Sequence, residues 1–411
     1  MSPAAADPAH PVRAADTFGW DIGGAHVKAC LLRDGQVHDV VQWHCPLWLG
    51  LQHLAQVLTA AQARWPGLGQ AHHAVTMTGE MADLFADRQA GVQRIAAVLA
   101  SQLGAGPTMH FYAGDAGWCG ATDVATHWRA IASANWLASA RHAALALGDQ
   151  LVEPGGNGLH EGVLIDIGST TTDLIAFRSG RVLTTARTDH QRLASGELVY
   201  QGVVRTPLCA LARRLPWRGA RINVINELFA TSADVYRLTG ELAPAHDQQP
   251  SADGAAKTLA ASRQRLARMV GLDAHDATDA DWLALAQAWR AEQVAELRGQ
   301  LARVSDRHGL GPQAVLITAG CGDFLAPLLV AAAGPAGTGT RCRPYAQAVA
   351  RLATDALPGS AAWAQVCAPC VAVAALRVLH SASAATPART RPARPGAAAR
   401  RQARPTLQEL R

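Results

Sequence analysis

The sequence predicts an α/β protein of two similar half-domains facing each other across a cleft, with a helical insertion in the second half. Three observations carry this. Asp21-Ile-Gly-Gly24 and Asp166-Ile-Gly168 each lie between apolar, strand-like runs and open a tight turn. Each leads, after about 14 residues, to an X-Gly hairpin signal, Asp34-Gly35 and Ser179-Gly180. The two copies begin about 145 residues apart, and a third strand is expected after each, over residues 36–43 and 181–187. A lone Asp-x-Gly is usually an ordinary turn, but two in matched context indicate a repeated unit.

These turns suit phosphate. Residues 162–165 read as a buried strand, and Gly168 with Ser169, Thr170 and Thr171 permits a tight turn into a second strand at 174–177. Successive N–H groups and hydroxyls in such a turn form a concave anion site, and an Asp at its mouth can hold Mg²⁺ directly or through water. Gly23 and Gly24 in the first copy, and Gly168, Ser169, Thr170 and Thr171 in the second, are therefore the expected phosphate contacts.

The remaining elements follow from apolar periodicity. Residues 1–16, rich in Ala and Pro, are expected to be disordered and lack the charged-then-apolar order of a secretory signal. In the first half-domain, 17–149, a helix is expected at 49–64, ended by Trp65-Pro66-Gly67. A strand at 73–77 runs into Thr78-Gly79-Glu80 and a helical 81–85, then a helix at 93–103, a strand at 108–112 and an apolar helix at 130–146. Residues 150–160, with Pro154-Gly-Gly-Asn-Gly158, read as a linker.

The second half-domain, 161–380, departs from the first after its hairpin. Residues 190–205 read as a polar loop and 221–228 as a strand. The insertion, about 230–310, has helical patterns at 230–238, 257–270 and 281–304. A strand at 313–318 then opens into Gly320-Cys-Gly322-Asp323 and a helix at 324–333, a third loop whose Gly320 and Gly322 suit an anion at a helix start.

Composition narrows the class. At 411 residues and 49% hydrophobic, the chain can fill two or three packed domains, and no run reaches the 18 apolar residues of a membrane span. The net charge of +5 belongs to the tail: residues 381–411 carry seven Arg and one Glu, leaving −1 for the rest. Built of Ala, Pro, Arg and Thr, that tail is expected to be disordered, and no nucleic-acid or membrane partner is implied. Eight scattered cysteines suit reduced thiols in a cytoplasm. Cys367-Ala-Pro-Cys370 has metal-type spacing but no second pair, so it reads as two core thiols. Among 37 basic residues only Lys28 and Lys257 are lysines, which marks both for roles needing a compact ammonium, against chance survival.

The motifs resemble a known group. Twin Asp-Ile-Gly hairpins with a later Thr318-Ala-Gly-Cys-Gly-Asp323 loop resemble the actin-like ATPase fold, a ribonuclease H-like duplication found in sugar kinases, heat-shock chaperones and the hydantoinase/oxoprolinase group. More narrowly, Asp21-Ile-Gly-Gly-Ala-His-Val-Lys28, Val75-Thr-Met-Thr-Gly-Glu80, Ser133-Ala-Asn-Trp136, Asp166-Ile-Gly-Ser-Thr-Thr-Thr-Asp173, Gly196-Glu-Leu-Val-Tyr200, Arg205-Thr-Pro207 and Ala261-Ser-Arg263 with Leu266-Ala-Arg-Met269 resemble the tetrahydromethanopterin-linked C1 transfer pathway proteins. That family includes the archaeal methanofuran-biosynthesis synthase, and the similarity spans residues 16–380.

The resemblance implies a transferase that joins an aminomethyl-furanmethanol diphosphate to the phenol oxygen of a γ-glutamyl-tyramine or tyrosine-type acceptor and releases diphosphate, in a pathway shared by methanogens and methylotrophic bacteria. On that reading Asp21 and Asp166 hold Mg²⁺, Lys28 stabilises the leaving charge, and Asp173 or Glu80 serves as base. Asp234, Tyr236, Asp253, Lys257 and Arg263 of the insertion form a roof for the acceptor. The fold also hosts other classes. An ATP-dependent hydantoinase- or oxoprolinase-type hydrolase, a small-molecule kinase and a non-catalytic nucleotide-binding assembly protein remain open, as does homo-oligomerisation.

Overall fold

The computed structural model describes residues 11–104, 108–150, 161–330 and 342–385. The expectations for 1–10, for most of the 150–160 linker, for 331–333 of the helix expected at 324–333 and for 386–411 lie outside the described residues.

The first sheet contains β1 (Thr17–Ile22), β2 (His26–Arg33), β3 (Gln36–His44), β4 (His72–Met77), β5 (Met109–Tyr112) and β6 (Trp118–Cys119), in the order β3-β2-β1-β4-β5-β6. β1 to β3 form an antiparallel meander, and β4 and β5 join parallel to β1. The second half has β7 (Glu161–Ile167), β8 (Thr172–Arg178), β9 (Arg181–Val182), β10 (Leu198–Val199), the separate hairpin β11 (Arg214–Trp217) with β12 (Ala220–Asn223), then β13 (Val315–Ala319) and β14 (Cys342–Pro344). Its sheet runs β10-β8-β7-β13-β14, with β9 on the free edge of β8. β13 lies parallel to β7 as β4 does to β1, and β14 parallel to β13 as β5 does to β4. The predicted duplication is present.

Strand alternation gives each face of the first sheet its own core. Phe18, Trp20 and Ile22 pack with the helices Gln52–Arg64 and Arg88–Leu103, while Cys30 and Leu32 belong to the core shared with the second half. That shared core rests on an exchange of helices. Asn135–Gln150, from the first half, packs on β7 to β9, whereas Ala368–Ala385, from the end of the chain, packs on β1, β2 and β4. The two helices pack on each other between the sheets. Gly19 permits this approach, because a Cβ there would stand 2.8 Å from Ala374 Cβ. No single described helix is long and apolar enough to cross a membrane.

Several boundaries differ from expectation, each for a local reason. The 130–146 helix is two, Val124–Ile131 and Asn135–Gln150, broken where Ser133 takes a left-handed φ of 50°. Only a turn, Gly79–Met81, replaces the helix expected at 81–85. The 190–205 loop contains the helix Asp189–Ser195, started by a capping box in which Thr188 and Gln191 satisfy each other's backbone. Residues 11–16 belong to the fold: Asp16 is buried and accepts bonds from Arg33 Nε at 2.9 Å and a terminal nitrogen at 2.7 Å. Residues 381–385 continue the last helix.

Candidate functional site

The two hairpins place their functional side chains at matching registers. In the first, Asp21 on β1 pairs across the ladder with Lys28 on β2; in the second, Asp166 on β7 pairs with Asp173 on β8. Cross-strand partners share one face of a sheet, so each hairpin sends two polar side chains the same way. Asp21, Lys28 and Asp173, together with the turns, line a cavity of about 430 Å³, and Asp166 lies behind its wall. Its walls include Asp21, Gly23, Gly24, His26, Lys28, Trp48 and Met81 from the first half, and Gly168 to Thr171, Asp173, Arg192, Tyr200 and Arg205 from the second.

Electrostatically the site is a crowd of carboxylates around one ammonium. Lys28 Nζ lies 3.4 Å from Asp21 Oδ2. Burial opposes its charge, but Asp21, with Cys367 and Asp166, outweighs burial and holds its pKa above the usual lysine range. Asp166 is pushed up to about 7, first by burial and then by Asp173, Asp21 and Asp323, with Lys28 opposing. Burial also raises Asp21 and Asp173, against Lys28 in the first case and Arg192 in the second. Arg192 bonds Asp173 directly and stacks over Trp136, 4.4 Å from its ring centroid.

The residues present fit a magnesium ion. Asp21 Oδ1 is buried without a hydrogen-bond partner, and adjacent carboxylates that resist ionising together are relieved by a divalent cation. Among the described residues the only trio of ligand atoms within 4.8 Å is Asp273, His275 and Asp276, all exposed and elsewhere. At the cleft, Asp21 and Asp166 are the carboxylates that could hold such a cation, with water completing its shell, as is common for Mg²⁺.

The second turn is built as a cradle. Gly168 N–H closes it onto Thr171 O at 2.8 Å, while Val203 and Val204 donate to Gly168 O and Ser169 O at 3.0 and 3.1 Å. Ser169, Thr170 and Thr171 thereby stay on the cavity wall. In the first turn Gly23 N–H is taken by His26 O at 2.9 Å, and Gly24 lines the cavity.

Other predicted residues have different work. The third loop is a correction: Gly320 N–H donates to Gln365 O at 2.9 Å and Gly322 N–H to Ile167 O at 2.8 Å, so neither amide is free for an anion. Both glycines are needed because the loop lies directly behind the second hairpin; a Cβ on Gly320 would stand 2.6 Å from Asp166 Oδ1. Glu80 is 1% exposed and not on the cavity wall; it accepts from Arg88 at 2.9 Å and from Ser133 Oγ at 2.7 Å, which fixes Ser133 at the wall.

The insertion residues are likewise absent from the wall. Asp234 is buried at the hub of the insertion, accepting from Ser262 Oγ, Arg265 Nε and Arg237, each at 2.8 Å. Tyr236 is fully buried, donating to Gln293 at 2.6 Å and packing on Phe324. Asp253 pairs with Arg265 and Arg263 with Asp279, while Lys257 clamps Asp247 through its carbonyl and carboxylate. The part of the insertion that does reach the first hairpin is Gln249, whose amide bonds Ala25 O at 3.1 Å and lies within 3.0 Å of nitrogens of His26 and His44. Arg192 and Trp48 went unremarked in the sequence, and Arg205 stood out only within the Arg205-Thr-Pro207 motif, with no role in the site. The Thr188–Gln191 capping box was a usable signal for the helix that carries Arg192.

A model of the hydantoinase/oxoprolinase family matches residues 72–346. The chain belongs to that family. Among curated relatives of this hydantoinase/oxoprolinase member, a (4-{4-[2-(gamma-L-glutamylamino)ethyl]phenoxymethyl}furan-2-yl)methanamine synthase of Methanocaldococcus jannaschii is 25% identical over 71% of this chain and 83% of its own length. A protein of the same name from Methanococcus vannielii is 26% identical over 36% of this chain and 66% of its own. Among solved structures, nucleotide-free acetone carboxylase, titled as an ATP-dependent enzyme, aligns with a TM-score of 0.51 at 11% identity, covering 88% of this chain and 70% of that one. With the duplicated sheets, that alignment establishes the actin-like fold.

Proposed function

We propose that this hydantoinase/oxoprolinase member is a transferase of methanofuran-type cofactor biosynthesis, condensing an aminomethyl-furanmethanol diphosphate with the phenol oxygen of a γ-glutamyl-tyramine or tyrosine-type acceptor. The CH₂–O bond to diphosphate breaks, and its electron pair leaves on the diphosphate oxygen. The phenol oxygen forms the new C–O bond, and its proton passes to a base. Lys28 and the amides of the second turn stabilise the charge of the departing diphosphate. Asp21 and Asp166 would hold Mg²⁺, which when bound would supply Lewis-acid stabilisation of the leaving charge.

Asp173 is the base in this reading. It lines the cavity, and Arg192 keeps it oriented, while Glu80 is tied to Arg88 and Ser133 behind the wall. A phenol of pKa about 10 is mostly protonated at neutral pH, so a positioned base is worth roughly 10² to 10⁴ in rate.

One observation favours a diphosphate over a longer nucleotide. The third loop, which would extend the anion path, has both glycine amides bonded internally, and Tyr236 packs on Phe324 beside it. The anion site then consists of Gly24 on the first turn, Ser169 to Thr171 on the second and Lys28, since the Gly23 and Gly168 amides are also bonded internally. Calorimetric titration with Mg²⁺ present tests this directly, using diphosphate and a non-hydrolysable ATP analogue in parallel. Tight diphosphate binding that is lost in Asp21→Asn and Asp166→Asn is expected. Strong binding of the ATP analogue with none of diphosphate would replace this reading with an ATP-dependent hydrolase or kinase.

A further inference from the structure

Arg205 is a cation at the cleft for which the chemistry above has no use. Its NH1 lies 3.5 Å from Thr170 Oγ1 on the second turn, and its guanidinium stacks over Trp48 of the first half, 5.2 Å from the ring centroid. The backbone sets this position: Arg205 N–H donates to Ser169 O at 2.8 Å, as does Val204 N–H at 3.1 Å. Gly202 lets the loop lie flat on the turn, since a Cβ there would run into Ser169 and Thr170.

Arg205 differs from the other cations of the cleft. Lys28 is paired with Asp21, and Arg192 with Asp173 and Asp189. Among the described residues Arg205 has no carboxylate within ion-pair distance, although Asp21, Asp83, Asp173 and Asp189 all line the same cavity. A guanidinium beside a hydroxyl-rich turn, with its donors uncommitted to carboxylate, is arranged to receive phosphate oxygens in a forked contact.

We infer that Arg205 binds the terminal phosphate of the substrate, and that its stack on Trp48 draws the two halves together over that phosphate. The identity of the ligand as a diphosphate rests on the proposed function, whereas the terminal-phosphate chemistry is shared with a nucleoside polyphosphate. Closure follows because Arg205 and Thr170 belong to one half and Trp48 to the other. A phosphate held between Arg205 and the second turn fixes the guanidinium plane, which then presents a rigid face to the indole.

The experiment uses the full chain with Mg²⁺ and two ligands, diphosphate and a non-hydrolysable ATP analogue, in Arg205→Ala, Arg205→Lys, Trp48→Ala and Trp48→Phe. Arg205→Ala should weaken phosphate binding at least tenfold with an unchanged melting temperature. Arg205→Lys, which keeps charge but loses the planar fork, should recover only part of the loss. Trp48→Ala should cost about threefold, and Trp48→Phe should stay near wild type in affinity while losing the ligand-induced change in tryptophan emission. Diphosphate affinity in Arg205→Ala within twofold of wild type would overturn the inference and leave the transferase reading standing. An Arg205-dependent affinity for the ATP analogue alone would keep the clamp and overturn the transferase reading. Wild-type protein that binds neither ligand would overturn both.

Discussion

Lys28 stands in the first hairpin where Asp173 stands in the second: each is the cross-strand partner, seven residues on, of the Asp that begins its turn. The duplicated frame therefore presents an ammonium from one half and a carboxylate from the other to the same cavity. A repeat with identical residues would have put four carboxylates, or two opposed ammonium groups, at the meeting of the halves. In the proposed reaction this asymmetry lets one half hold the leaving anion and the other the base.

Removing Lys28 should cost stability as well as binding. In Lys28→Met, Asp21 is left buried with no cation in contact. Loss of one partner from such a pair is expected to destabilise the protein by about 2 kcal/mol, below the roughly 3–5 kcal/mol of a fully buried pair because Lys28 is 22% exposed. Urea unfolding measures the loss, and the double variant Lys28→Met with Asp21→Asn should recover part of it. Full additivity of the two changes would sink the coupling.

Gly320→Ala should disturb the site from behind. The residue has a φ of 88°, and its Cβ would press on Ile167 O and on Asp166 Oδ1. Strain and clash together should cost about 2–4 kcal/mol and displace Asp166. Reduced Mg²⁺-dependent diphosphate affinity in the surviving folded fraction is the specific readout.

His73 should make an acid-sensitive contribution to stability. Trp20 Nε1–H donates to His73 Nδ1 at 3.1 Å, and burial brings the His73 pKa down to about 4. Burial likewise takes His142 to about 4 and His26 to about 3. Between about pH 4 and the unfolded value near 6.5, the unfolded chain binds protons that these rings in the folded chain do not. The histidine contribution to stability then rises with pH through that window and is lost on acidification, while Asp166, whose carboxyl burial pushes up to about 7, contributes with the opposite sign. His73→Gln keeps an acceptor for the indole but cannot titrate, so its unfolding free energy should fall less steeply by up to about 1.4 kcal/mol per pH unit. Parallel slopes in the two proteins would count against the assignment.

Asp173→Asn should separate chemistry from binding. With an aminomethyl-furanmethanol diphosphate and a phenolic acceptor, single-turnover diphosphate release should slow by roughly 10² to 10⁴ while diphosphate affinity changes little. Glu80→Gln should act differently, because Glu80 accepts from Arg88 and Ser133 behind the wall. Its main effect should appear in the thermal midpoint. A turnover loss in Glu80→Gln equal to that of Asp173→Asn, without loss of stability, would reverse the two roles.

The duplication and the residues at its turns are legible in the amino-acid order alone. Asp21, Lys28, Asp166 and Asp173 were identifiable because tight turns need particular local chemistry, and a seven-residue spacing across a hairpin places two side chains on one face whatever surrounds them. Helix existence in the insertion was legible for the same reason, since apolar periodicity is local. Only the tertiary structure decided which polar groups reach the cleft. Asp234, Tyr236, Gly320 and Glu80 carry the residue types of a site, yet packing uses them to close the insertion, seal a loop and prop a wall. Arg205 and Trp48 are 157 positions apart and carry no shared pattern, so only the folding of one half onto the other brings them together. The exchange of helices between the halves is hidden for the same reason: an apolar helix declares that it will be buried, not which sheet will bury it.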